Sequence, residues 1–150
     1  MDPNSDDPAR EGKLELSSRT DVVDVRQKVR ELCKSLNFSL SETTRVVTAT
    51  SELARNIIEF AGYGKISWSL ISEQNRTGAG AEKGLELVFK DEGPGIDDLE
   101  WAMRDGTSTG DGLGKGLPGA EKLMDEMDVK TDPESGTRIT VKKWSSSGRE

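Results

Sequence analysis

Half of the chain's 16 glycines fall between Gly93 and Gly119, at positions 93, 95, 106, 110, 112, 114, 116 and 119. No regular helix or strand sustains that density, because a glycine has no side chain to pack and loses the most backbone entropy on folding. Such a bare backbone can bring N–H groups against an anion without interference from Cβ atoms. Pro118, near the start of LPGAEKLMDEM, fits the first turn of a following helix. A phosphate is the simplest ligand for a glycine-rich loop that leads into a helix N-terminus.

Two familiar glycine motifs nearly match and fail on context. Gly114, Gly116 and Gly119 spell G-x-G-x-x-G, but the preceding LEWAMRDGTSTGD is not the buried strand a dinucleotide fold requires. A phosphate-binding P-loop needs Ser or Thr after its Gly-Lys pair. Here Gly114-Lys115 is followed by Gly116, and position 109 is a threonine.

A length of 150 residues suits one domain with one core. Lys and Arg total 21 against 28 Asp and Glu, a net charge of −7, so the sequence offers no basic stripe for a nucleic-acid backbone and nucleic acid is not an expected partner. No run approaches the roughly 18 apolar residues of a membrane span, and no apolar leader opens the chain. A soluble protein of the cytoplasm, with no membrane partner, is expected. Cys33 is the single cysteine, which excludes disulfide frameworks and multi-cysteine metal sites; it falls on an apolar helical face and reads as core. With no histidine in the sequence, Ser/His/Asp triads, His-ligated zinc and phosphorylation on a histidine of this chain are excluded. Carboxylates, amides, hydroxyls and backbone groups are left to do the chemistry.

The acidic, proline-bearing residues 1–12 and the polar residues 145–150 read as disordered tails around a single domain, 13–144. In KLELSS, Leu14 and Leu16 alternate as in a half-buried strand. A helix follows, with Thr20 as N-cap and Val22, Val25, Val29, Leu32, Cys33 and Leu36 at helical spacing. Ser39 and Glu42 form a capping box for a second, long helix ending at Gly62. KISWSLISE and LELVFKDE read as a pair of strands joined by a polar loop. DVKTD and TRITVKKW form a last hairpin across PESG. The sum is an α/β fold, a two-layer sandwich of a mixed, mostly antiparallel sheet with helices on one face.

Within the long helix, Glu52 and Asn56 are four residues apart and project from one face. They could act as a base and as a ligand for hydrated Mg2+, which takes one or two protein oxygens plus phosphates. The alternative is a solvated face on which Glu52 pairs with Arg55 for about 0.3 kcal/mol. After the second strand of the pair comes DEGPG, where Asp91 leads into a tight turn with Gly93 and Gly95 around Pro94.

Taken in order, E-x-x-x-N on a helix, D-x-G-x-G after a strand, a G-x-G-x-G loop before a helix, and Gly136-Thr137 opening the last strand are far more specific than any one of them. This series resembles the GHKL ATPase/kinase superfamily with its Bergerat, histidine-kinase-like ATP fold, over roughly residues 14 to 144. SELARN, DEGPGI and GLGKGLPGAEKLMDE look most similar to the RsbT-type switch serine/threonine kinases, relatives of the RsbW-type anti-sigma-factor kinases. The resemblance implies ATP and Mg2+ as cofactors, with Asn56 holding Mg2+ and Glu52 acting as catalytic base. It implies that Asp91 accepts from the adenine amino group with support from Thr137, and that Gly93 and Gly95 shape the base pocket. Gly112, Gly114 and Gly116 would belong to a lid over the phosphates; Lys115 matches no invariant phosphate ligand and is placed there by proximity alone.

Phosphoryl transfer needs chiefly positioning and charge neutralisation, which Mg2+, backbone amides and Lys115 would supply without histidine. A hydrolase would use a similar carboxylate on water, so residue types alone do not separate kinase from ATPase. The resemblance implies a kinase that phosphorylates a STAS-domain antagonist and exchanges it for a PP2C-type phosphatase in bacterial stress signalling. The alternatives are an anti-sigma factor that sequesters a sigma factor, a nucleotide-gated binding module without transfer activity, and a detached histidine-kinase catalytic domain. Residues 96 to 115, with Trp101 among them, are expected to change order with the bound nucleotide; a short helix, DDLEWAMRD, that caps the core with Trp101 is the other reading.

Overall fold

A computed structural model describes residues 11–73, 82–93, 116–132 and 134–145. In chain order these form β1 (Glu11–Leu16), α1 (Arg19–Ser35), α2 (Leu40–Phe60), β2 (Gly64–Glu73), β3 (Glu82–Asp91), α3 (Gly116–Leu123), β4 (Glu126–Asp132) and β5 (Gly136–Trp144). The strands make one sheet in the order β1-β2-β3-β5-β4. Every pairing among the described strands is antiparallel, so the mixed character expected from the sequence reduces to one crossover. The α1–α2 pair returns the chain beside β1, β2 and β3 follow each other directly, and α3 crosses so that β5 rather than β4 lies against β3.

The helices cover one face. Ile57 of α2 lies over Gly64, and the Lys28 ammonium of α1 stands 5.6 Å from the centre of the Trp68 ring. Beneath them the inward positions of the strands, Leu16, Ile66, Leu85, Leu87, Phe89, Ile139 and Val141, meet Val25, Val29, Leu32, Val46, Leu53 and Ile57 in one core. Each large side chain so buried stabilises the fold by about 1.5–3 kcal/mol. Cys33 is fully buried in this core, and that burial pushes its thiol up to about 12.

Local signals account for the helix ends. Glu42 N donates to Ser39 Oγ at 3.0 Å and Ser39 N to Glu42 Oε1 at 2.8 Å, the capping box expected for α2. Its last turn closes with Gly62 N donating to the Ile57 carbonyl at 2.9 Å. The start of α1 differs from expectation: the N-cap is Ser18, and Thr20 lies inside the helix. The cause is Asp21, whose carboxylate accepts from Ser17 N at 2.8 Å, Ser17 Oγ at 3.1 Å and Ser18 N at 3.1 Å. These bonds, Ser17 N–H foremost, hold the Asp21 carboxyl below its usual range.

Three boundaries move for reasons that are not local. β1 takes in Glu11 and Gly12, read above as tail, because they pair with Ser69 and Trp68. Ser145, also read as tail, is buried and donates its N–H to the Lys83 carbonyl at 2.8 Å. Glu126 and Met127, read as the end of a helix, open β4 opposite Lys142 and Val141. Pro118 falls in the first turn of α3, as expected. The remainder of both tails and residues 94–115, with Trp101, lie outside the described residues.

Candidate functional site

Asp91 ends β3 with Gly64 as its partner on one side and Thr137 on the other, and Thr137 is in turn paired with Thr131 of β4. Cross-strand partners share a face. These four therefore form one row at the end of the sheet, on the face covered by helices. Thr137 is buried, and its hydroxyl lies 3.1 Å from that of Thr131.

Asp91 is half-buried, and its Oδ1 accepts from Gly93 N at 2.9 Å, which folds the turn that leaves the strand. Two glycines make room for this arrangement. A Cβ at Gly64 would come within 2.6 Å of Ile57 Cγ2 and 3.3 Å of Asp91 Cβ, so its absence lets α2 lie close upon the strand end. Gly136, at φ +90°, would drive a Cβ into the Asp91 carbonyl oxygen. Any larger residue at either position would displace Asp91.

The C-terminal half of α2 is the other wall. Ile57 reaches Gly64, and Ala61 lies against Gly93, so the turns of helix that carry Glu52 and Asn56 lead directly to the Asp91 turn. Both side chains are half-buried. Glu52 also meets Arg55 at 3.6 Å, with side chains 39% and 53% exposed, so the pairing weighed as the alternative is present. An exposed pair at this spacing is worth about 0.3 kcal/mol and does not hold Glu52 in place. Beyond Arg55, a groove between α1 and α2 is lined by Arg19, Val22, Val23, Arg26 and Ile58, and Arg26 Nε is buried in it with no hydrogen-bond partner among the described residues.

Thus Asp91, Gly93 and Thr137 come together at one end of the sheet, against the Ile57–Ala61 turn of α2, and Glu52 and Asn56 stand on the preceding turns of that helix. Gly116 opens α3, which packs on α2. Gly95, Gly112, Gly114 and Lys115 lie outside the described residues. Sequence reasoning missed Thr131 and Gly64 as neighbours of Asp91. Thr131 could have been found by laying the register of the last hairpin across PESG, whereas Gly64 depends on a pairing between strands far apart in the chain.

The donor set suits a nucleotide: a strand-end carboxylate with one oxygen committed to the turn, a buried hydroxyl beside it, and an amide one helical turn from a carboxylate. A model of the histidine kinase-like ATPase domain matches residues 16–143, and the chain belongs to that family. It is 40% identical over 131 residues to the serine/threonine-protein kinase RsbT of Bacillus subtilis, covering 87% of this chain and 94% of the relative. The chain is accordingly a serine/threonine-protein kinase homologue of a nucleotide-using family. The anti-sigma F factor of Clostridium novyi is 32% identical over 121 residues, covering 79% of this chain and 82% of the relative.

Two solved structures share the fold. One is the SiaB-SiaC complex of Pseudomonas aeruginosa, with a TM-score of 0.52 and 12% identity over 96% of this chain and 98% of that one. The other holds the RsbU and RsbW domains of a Mycobacterium tuberculosis protein, with a TM-score of 0.52 and 17% identity over 88% of this chain and 32% of that longer one. No described helix is long and apolar enough to cross a membrane.

Proposed function

We propose that the chain is an ATP- and Mg2+-dependent kinase that phosphorylates a serine or threonine of a STAS-domain antagonist, and that it then exchanges this partner for a PP2C-type phosphatase in the bacterial cytoplasm. The observation that carries the reading is Glu52 and Asn56 on one face of α2, on the turns that precede the contact of Ala61 with Gly93, in a chain 40% identical to a serine/threonine-protein kinase. ATP supplies the γ-phosphoryl group, whose bond to the ADP oxygen breaks as a bond to the acceptor hydroxyl oxygen forms. Glu52 takes the hydroxyl proton. Asn56 offers its amide oxygen to Mg2+, a metal that uses few protein ligands when phosphates complete its shell.

Asp91, with its second carboxylate oxygen, accepts from the adenine amino group, and the Thr137 hydroxyl supports that contact. Gly93 and Gly95 shape the base pocket, while Gly112, Gly114, Lys115 and Gly116 approach the phosphates. The groove lined by Arg19, Arg26, Arg55 and Glu59 with Val22, Val23 and Ile58 supports a protein acceptor, since Arg55 in its lining also meets Glu52.

The test is transfer from ATP to a STAS-domain protein by wild type and Glu52→Gln. The variant should bind ATP as tightly as wild type and transfer phosphate about 10²-fold more slowly or worse. Full transfer by the variant removes Glu52 from the base role. The 32% identity to an anti-sigma factor favours a second reading, sequestration of a sigma factor. Stable capture of a sigma factor in place of a STAS-domain protein would decide for it.

A further inference from the structure

The face of the sheet turned away from the helices carries a second row, one residue removed from the Asp91 row. Lys65 of β2 pairs with Lys90 of β3, Lys90 with Arg138 of β5, and Arg138 with Lys130 of β4. Four cations therefore stand side by side across four strands. Lys90, Arg138 and Lys130 are exposed and Lys65 is half-buried. Among the described residues none of the four has an ion-pair partner. The acid at the end of the row, Glu15 opposite Lys65, lies against the Tyr63 hydroxyl instead, and its negative charge pushes the pKa of that hydroxyl up.

Like charges directly opposite in a sheet oppose folding, and the chain holds 28 acids with which to avoid the arrangement. Elsewhere on the same face it does so: Glu86 meets Lys142 at 3.8 Å, and Glu126 faces Lys142 from the other side. The fold gives no reason for the cationic row, which leaves recognition of an anion. Its shape restricts which anion. Strands stand about 4.8 Å apart, so the row runs about 14 Å across the sheet and is one residue wide. Two residues along the strands lies Asp128, and two further lie Glu86 and Glu126. A broad polyanion such as a nucleic-acid duplex or an anionic membrane would be laid on these acids within the screening distance of about 8 Å. A narrow acidic segment lying across the strands meets Asp128 and Asp132 only beside Lys130, at one end of the row, and stays about 13 Å from Glu86 and Glu126.

We propose that the row Lys65–Lys90–Arg138–Lys130 is a docking site for an acidic helix of a partner protein, its carboxylates at i, i+4, i+7 and i+11 matched to successive strands. Neighbours at i, i+3 or i+4 on a helix face are about 5–6 Å apart, close to the strand spacing. The proposal does not depend on the kinase reading, because the row faces away from Glu52 and Asn56.

The test uses two labelled alanine-based peptides of identical composition, one with four glutamates on a single face at i, i+4, i+7 and i+11, the other with them spread around the helix. Anisotropy titrations of the full chain without nucleotide, at low salt, should show the one-faced peptide binding at least tenfold more tightly. Lys90→Ser combined with Arg138→Ser should remove that preference and leave the melting temperature unchanged or raised, since repulsion is relieved. Glu52→Gln should bind the peptide as wild type does, which separates this site from the one beneath α2. Equal binding of the two peptides overturns the proposal, as does unaltered binding by the double variant or a fall in its melting temperature. Tighter binding of a DNA duplex or a phosphatidylserine vesicle, lost in the same variant, would overturn it in favour of a polyanion.

Discussion

The hydroxyl oxygens of Thr131 and Thr137 lie 3.1 Å apart across the β4–β5 pair, with Asp91 next in the same row. A hydroxyl held in this way is aimed before any ligand arrives. Losing one buried hydrogen bond costs about 0.5–1.5 kcal/mol, or roughly 2- to 13-fold in affinity. Thr131→Val should therefore weaken ATP binding several-fold in calorimetry, and Asp91→Asn should abolish it. Wild-type affinity in Asp91→Asn would remove Asp91 from the base pocket.

Gly136→Ala places a Cβ on the Asp91 carbonyl at a φ of +90°. It should destabilise the fold by more than about 1 kcal/mol and weaken ATP binding with it. Gly119 of α3 has open space where its Cβ would stand, so Gly119→Ala should stabilise by about 0.5–1 kcal/mol. Urea titrations of the two variants check the opposite signs.

Ser39→Ala removes the acceptor for Glu42 N–H at the start of α2 and should cost about 1 kcal/mol. Ser39 is more than three turns from Glu52, so at temperatures where the variant stays folded its transfer rate should match wild type. A loss of rate larger than the loss of folded protein would show that the start of α2 communicates with the site.

Burial raises the Cys33 thiol to about 12 from an ordinary value of 9.0. The folded protein then holds a proton that the unfolded chain releases, so this contribution to stability is complete below about pH 9 and is lost as pH rises towards about 12. Denaturation midpoints at pH 8 and pH 10.5 should show a larger drop in wild type than in Cys33→Ala. The native thiol should also resist aromatic disulfide reagents at pH 8 until the chain is unfolded.

What could be read from the sequence was what neighbouring residues decide among themselves. The Ser39–Glu42 box, the apolar face of α2, the end at Gly62 and the alternation of Ile66, Trp68 and Leu70 all act within a few positions. The pairing of Glu52 with Asn56 was legible for the same reason. Glu11 and Gly12 look like tail because their place in β1 is set by Ser69 and Trp68, some 57 residues on. Glu126 and Met127 continue a helical pattern, and only the β5 partner makes them strand. Thr131 and Gly64 gain their meaning from Asp91, and Lys65, Lys90, Arg138 and Lys130 form a row only once three strand pairings are known.

Glu52 and Asn56 are joined by one turn of α2, and a helix turn is a ruler that does not stretch. At 1.5 Å and about 100° per residue, their separation along the axis is fixed near 6 Å. One residue inserted between them would swing the amide about a quarter-turn away while leaving every core residue before Glu52 in place. This stretch should therefore accept many substitutions yet no change of length, and among descendants of such a chain gaps should gather in connections such as that between β2 and β3. Nor can a partner open the distance between carboxylate and amide: it can only bring both to, or hold both from, whatever is offered to them.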